Sequence, residues 1–313
     1  MQTLQKKAVV WGPVFIFLAA MLWATDAPFR FHLTQTLSAD FIVLAEHAVN
    51  VLLILPFIFL GWKEIKTLTS KQWLAILIIG IGASAVASIL FTMSFSYVNP
   101  SVAIVLQKLQ PLIVICFASS FLGERTGKRF WLWAFLAILG AYVISFPDIV
   151  PILYRGEVWN PNAIGTVLAL GATALWGAGT VLGRYILGTS VSFKTVTALR
   201  FLIAFLFLIV LNFRSGTLGT IDVLTGKDIL FIIIVAITSG FTSLFIYYKG
   251  LEATKASIAT FAELGFPFLA VIVNAVALGL FLRPMQIVGM ILLLFAVWGL
   301  TKLNTGEVVP RVS

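Results

Sequence analysis

Between Gln72 and Gln107 the chain runs for 36 residues without one charged side chain. A helix crosses the hydrocarbon core of a bilayer in roughly 20 apolar residues, so this stretch is too long for one span. The turn Tyr97-Val98-Asn99-Pro100 divides it, with Pro100 placed to open the next helix. Cutting the rest of the chain at charges, Gly/Pro turns and polar clusters extends the pattern to ten candidate spans. They cover 9–31, 40–61, 72–97, 100–121, 129–146, 161–187, 193–213, 228–250, 256–280 and 284–302. A soluble fold of this length needs a charged exterior, with about 25% of residues charged. Here 11% are charged and 60% hydrophobic, with mean hydropathy +1.07. Lipid removes the requirement, so the expectation is an all-α integral membrane protein. A transmembrane β-barrel is excluded because its strands alternate polar and apolar residues, whereas these runs are apolar all round.

The net charge of +9 does not point to nucleic acid. The basic residues stand in ones to threes between apolar runs and form no phosphate-binding stripe. With the amino terminus inside, 14 Lys and Arg fall in inner segments and 5, Arg30 among them, in outer ones. The positive-inside rule therefore places both termini in the cytoplasm of a cell (inner) membrane. Lys6 and Lys7 before an apolar run resemble a signal peptide, but the run continues through Trp23 without a cleavage site and reads as a retained span. The single cysteine, Cys116, cannot form a disulfide within the chain and reads as a small packing residue. His32 and His47 lack metal-ligand spacing, so neither metal nor cofactor is expected.

The chain repeats itself. Leu22-Trp23 is matched by Leu175-Trp176 at an offset of 153, and Asn99–Pro111 by Lys255–Pro267 at 156. Leu122-Gly123 is matched by Leu278-Gly279. Residues 9–146 and 161–302 thus form two five-helix repeats joined by an extracytoplasmic linker, 147–160. Five is odd, so the halves insert in opposite senses. Such inverted repeats carry their substrate site at the repeat interface, near the middle of the membrane.

Ionisable groups inside a span are costly and tend to face a cavity or a partner. Glu46, His47 and Asn50 lie within about 100° of helical arc on the second span, a polar face directed into the bundle. Gln107 and Gln110 share a face of the fourth span, and Gln107 is matched across the repeat by Glu263. These residues are candidate substrate contacts, as are Trp23, Trp176, Tyr247 and the adjacent Tyr248 as aromatic cavity walls. The bland alternatives are interhelical hydrogen bonding for the glutamines and ordinary packing for the aromatics. Pro111 and Pro267 interrupt the helical ladder and are candidate hinges. Asp26, Lys108 and Arg200 are candidate charge-pair or coupling groups: Lys108 with Glu46 or Glu263, and Arg200 with Asp26 or snorkelling to the cytoplasmic edge. The pair Gly179-x3-Gly183 invites close helix packing.

These residues carry a family resemblance. Ala103-x3-Gln107-x3-Pro111 with Leu122-Gly123-Glu124-Arg125, and Ala259-x3-Glu263-x3-Pro267 with Leu278-Gly279, resemble the signature of EamA-type transporters in the drug/metabolite transporter superfamily. Trp23, Trp176 and Arg200 fit the same pattern, over residues 12 to 303. One departure is Leu280, which stands where the second half of the family usually has the counterpart of Glu124. The resemblance implies a ten-helix bundle with a central cavity lined by both halves, carrying amino acids or related metabolites, frequently outward.

The expected function is thus secondary transport of a small metabolite, amino-acid-like or amphipathic, exported by alternating access. Import or exchange of nucleotide sugars or carboxylates is the alternative. A membrane enzyme on lipid-linked substrates ranks below both, because neither histidine has a nucleophile partner at motif spacing and no ATP-binding loop is present. The expected partners are the substrate and the bilayer, with protons as a candidate coupling ion and a second copy of the chain as a candidate neighbour.

Overall fold

The computed structural model describes residues 2–114, 116, 128–145, 161–189, 191–254, 259, 262, 263 and 266–305. The linker 147–160 and the motif Leu122-Gly123-Glu124-Arg125 lie outside them. Among the described residues every regular element is helical. The first half holds α1 (Gln2–Trp23), α2 (Ala27–Leu33), α3 (Ala39–Leu60), the short α4 (Trp62–Lys66), α5 (Ser70–Ser94), α6 (Pro100–Val114) and α7 (Lys128–Ser145). The second holds α8 (Pro161–Leu187), α9 (Phe193–Ser215), α10 (Gly226–Glu252), α11 (Phe266–Leu278) and α12 (Pro284–Thr305). Among the described residues six stretches are long and apolar enough to cross a membrane: Trp11–Leu33, α3, α5, α8, α9 and α10. Four shorter apolar helices are described beside them.

Local sequence sets the helix ends. Thr69 and Gln72 form a reciprocal capping box that opens α5, and Thr225 with Asp228 does the same for α10, each satisfying two otherwise orphaned backbone donors. Asn99 caps α6, whose first residue is Pro100, where no N–H is needed. Gly279 follows Leu278 with φ +66°, a left-handed conformation that closes α11 and favours glycine. That geometry accounts for the second Leu-Gly of the repeat.

The expected first span, 9–31, is instead two helices. Thr25 and Asp26 form a turn between α1 and α2. Pro28, in the first turn of α2, has no N–H to return to the carbonyl of Ala24, so the helix restarts there. The break carries Arg30, counted above among the outer-loop charges, into the interior at 7% exposure. Cys116, expected to pack, is exposed.

Packing pairs the halves reciprocally. The first long helix of each half lies on the third of the other, α1 on α10 and α8 on α5, while α3 lies on α9 and α7 on α12. Apolar side chains cover the outside, with Val276 83% and Phe59 76% exposed. Buried positions include Asp26, Arg30, Glu46, His47, Asn50, Lys108, Arg200 and Glu263. A surface this apolar around charged groups is the arrangement lipid favours over water.

Both third helices widen midway. Residues Ile78–Val86 of α5 and Ala236–Thr242 of α10 are π-helical. At the repeat offset of 156, residues 80–86 fall on 236–242, so the same stretch is wide in each half.

Candidate functional site

A cavity lies on the seam, lined by twelve residues from each half. At offset 156 its wall repeats: Ala83 and Ser84 answer to Ser239 and Gly240, Ser88 to Leu244, Phe91 to Tyr247, Gln107 to Glu263, and Gln110 to Phe266. At offset 153 Trp23 answers to Trp176 and His47 to Arg200. The sequence-predicted contacts Trp23, Glu46, His47, Asn50, Gln107, Gln110, Trp176, Tyr247 and Glu263 all line this one space, as do Asp26 and Arg200.

The aromatic walls are exchanged between halves. Trp23 of α1 lies 5.2 Å from Tyr247 of α10, and Trp176 of α8 lies 5.1 Å from Phe91 of α5. Trp23 also donates its indole N–H to the carbonyl of Ser239 at 2.9 Å. The Ser243 hydroxyl donates to the same carbonyl, which lies in the π-helical stretch of α10. Close approach of α8 to α5 depends on Gly179, where an added Cβ would stand 2.5 Å from Ala83 Cβ. Gly183, one turn on, lies against Tyr248.

Charge is partitioned along the cavity. Arg30 contacts both oxygens of Glu46, at 2.9 and 3.0 Å, and reaches Asp26 at 3.4 Å and the Thr92 hydroxyl at 2.7 Å. Lys108 pairs with Glu263 at 3.4 Å, the second of its two expected partners, and its ammonium lies 4.5 Å from the Phe266 ring centre. Lys108 is buried behind the wall rather than on it. Arg200 neither pairs with Asp26 nor snorkels. It donates to the Ser84 hydroxyl at 2.6 Å, the Tyr248 hydroxyl at 3.0 Å and the Ala83 carbonyl at 3.4 Å. Asp26 was already taken by Arg30, four residues on and one helical turn away.

His47 donates Nδ1–H to the Val43 carbonyl at 2.8 Å. A carbonyl can only accept, so the neutral ring keeps Nε2 as an acceptor, and Nε2 has no partner among the described residues. The same is true of Asn50 Oδ1 and Glu263 Oε1. Gln110 donates to the Thr180 hydroxyl at 3.1 Å, so it joins α6 to α8 while lining the cavity. Pro111 follows a 3-10 turn at Gln107–Leu109, where its ring crowds the carbonyl of Gln107. Pro267 is the second residue of α11, and residues 264 and 265 before that helix lie outside the described residues. Both prolines are buried beside the cavity and not on its wall. No group of three or more His, Cys, Asp or Glu with metal-site geometry occurs among the described residues.

The sequence profile of the EamA-like transporter family matches residues 10–146 and again 163–302. The chain belongs to that family. It is a multi-pass membrane transporter and not an enzyme. Among curated relatives of this EamA protein is the riboflavin transporter ImpX of Fusobacterium nucleatum subsp. nucleatum (strain ATCC 23726 / VPI 4351). It is 30% identical over 302 residues, covering 94% of this chain and 98% of the relative. A solved crystal structure matches the fold with TM-score 0.63 at 16% identity, over 95% of this chain and 99% of the other.

Sequence reasoning missed Arg30, Ser84, the role of the Tyr248 hydroxyl as an acceptor for Arg200 and both π-helical stretches. Arg30 carried a usable signal, the spacing Asp26-x3-Arg30. The wide turns left none, because hydropathy does not distinguish a π turn from an α turn.

Proposed function

We propose that this EamA protein moves a flat heteroaromatic metabolite of the flavin class by alternating access between its two halves, and that riboflavin is its substrate. The seam cavity carries this proposal: the aromatic pairs Trp23–Tyr247 and Phe91–Trp176 line the same space as the polar side chains of Glu46, His47, Asn50 and Arg200. Aromatic walls hold a planar ring through stacking and dispersion, and the unpartnered polar atoms suit a heterocycle and a polyhydroxyl tail. The name of the bacterial relative points the same way. Ten crossings, inverted halves and cytoplasmic termini in the inner membrane complete the scheme, with Pro111 and Pro267 as hinges. One chain is the transport unit, since it supplies both walls.

A second substrate class is favoured by one observation. Asp26, Arg30 and Glu46 together carry one formal negative charge, and Arg200 carries a positive charge without a carboxylate at ion-pair distance among the described residues. Such separation complements a zwitterion, hence export of amino-acid-like compounds.

Purified protein in proteoliposomes decides between them. Labelled riboflavin should enter saturably and be displaced by unlabelled riboflavin, not by amino acids, and inside-out vesicles fix the direction. Imposed proton gradients that leave the rate unchanged remove Glu46, His47 and Glu263 as coupling groups. Accumulation of amino acids with no riboflavin flux sinks the flavin proposal and leaves the second.

A further inference from the structure

The polar part of the cavity lining holds hydrogen-bonding capacity that no described residue takes up. His47 is 4% exposed and Asn50 1% exposed, and each keeps an acceptor without a partner among the described residues, Nε2 of the one and Oδ1 of the other. Buried acceptors of this kind are uncommon because each forgoes its hydration without a replacement. Arg200 has five N–H groups, and three of them are committed to Ser84, Tyr248 and Ala83. The other two are spare donors on a side chain that lines the same cavity.

Placement brings these groups together. Asn50 follows His47 by three residues on α3 and so shares its face. Arg200 sits on α9, packed against α3, and the His47 ring meets that of Phe201, the neighbour of Arg200, edge to face at 5.6 Å. Gly240 makes room for the amide, since a Cβ there would stand 2.8 Å from Asn50 Nδ2. α3 and α9 thus bring to one cavity wall donors from Arg200, an acceptor from His47, and the amide of Asn50, which offers a donor as well as its unpartnered acceptor.

We infer that His47, Asn50 and Arg200 form a recognition edge for a cyclic imide, the O=C–NH–C=O face of the substrate ring. The imide N–H donates to His47 Nε2, and the flanking carbonyls accept from Arg200 and from the Asn50 amide. This inference rests on the flavin proposal and adds the orientation of the ring: the pyrimidine edge points at α3 and α9, and the benzenoid edge lies among the aromatic pairs. A zwitterionic amino acid offers no such sequence of acceptor, donor, acceptor.

The test compares riboflavin with N3-methylriboflavin, in which the imide proton is replaced by methyl, binding to the wild-type protein by quenching of flavin fluorescence. The expected loss is about tenfold or more, as befits a lost hydrogen bond that leaves a buried acceptor unpaired. His47→Phe keeps a ring against Phe201 and removes the acceptor, so it should weaken riboflavin and nearly abolish the difference between the two ligands. Equal binding of both ligands to the wild-type protein overturns the recognition edge and leaves riboflavin transport standing. Absence of riboflavin binding overturns both. The analogue comparison needs no variant, so a misfolded His47→Phe does not block it.

Discussion

Arg30 and Glu46 stand sixteen residues apart, on α2 and α3, and meet through both carboxylate oxygens at 2.9 and 3.0 Å. The same guanidinium holds Asp26 across the break between α1 and α2. One cation thus fixes the angle of that break and neutralises part of a buried acidic pair. Glu46→Gln removes one charge and leaves the shape. It should cost about 3 kcal/mol, as breaking a buried pair does, measured by reversible unfolding in mixed micelles. Arg30→Met should cost much less in the Glu46→Gln background than alone. Additive losses would show that the two groups do not feel each other.

Tyr248 positions Arg200. Its hydroxyl accepts from Nη1 at 3.0 Å, and its ring centre lies 5.4 Å from the guanidinium carbon. Tyr248→Phe retains the ring contact and deletes the acceptor, so the expected cost is about 1.5–3 kcal/mol, the range for hydrogen bonds to charged groups. The KM for substrate should rise as Arg200 loses its fixed orientation. An unchanged melting temperature together with an unchanged KM would remove Tyr248 from this role.

The contact of α8 with α5 depends on one missing methyl group. Gly179→Ala would place a Cβ 2.5 Å from Ala83 Cβ, and the helices must part or strain, costing about 1–3 kcal/mol. Gly183→Ala meets the Tyr248 hydroxyl at 3.1 Å, where a side chain can yield, and should cost less. Gly219→Ala meets nothing within 4 Å and serves as the neutral control. Thermal unfolding of the three variants should rank them in that order.

Glu64, on α4 outside the spanning helices, accepts from the backbone N–H of Ser192 at 3.0 Å and its hydroxyl at 2.9 Å, at the start of α9. Partial burial pushes its pKa up, but hydrogen bonds from Thr195 and Ser192 outweigh that and hold it below the ordinary value of 4.5. A carboxylate depressed on folding stabilises above its unfolded pKa, and the contribution fades as pH falls through the folded one. The melting temperature of wild type should therefore drop on acidification below about pH 4.5, and Glu64→Gln should flatten that limb. Parallel acid limbs would show that Glu64 does not contribute.

Most of the bundle was readable from hydropathy alone, because each lipid-facing helix announces itself by length. The boundaries of α3 and α9 and the end of α8 fall within two residues of expectation. The cavity was partly readable too. Glu46, His47 and Asn50 are polar on an otherwise apolar helix, and the pairing of Gln107 with Glu263 follows from the repeat. Arg30 was hidden because a charge near the end of an apolar run looks like a loop residue until the run is known to break at Asp26. The pairing of Ser84 and of the Tyr248 hydroxyl with Arg200 was hidden for another reason. Their hydroxyls cost little in a span, and only the approach of Arg200 gives them a role.

The wide turn at Ala236–Thr242 holds a surplus residue relative to a regular α-helix. Excising one residue there would let α10 close up into ordinary helix while its two ends keep their facing, so the damage would stay at the cavity wall. The same excision in the middle of α9, which has no such slack, would rotate everything beyond it by about 100° and turn lipid-facing side chains inward. The third helices are thus the places where this architecture absorbs a change in chain length, and they do so along the lining of the cavity.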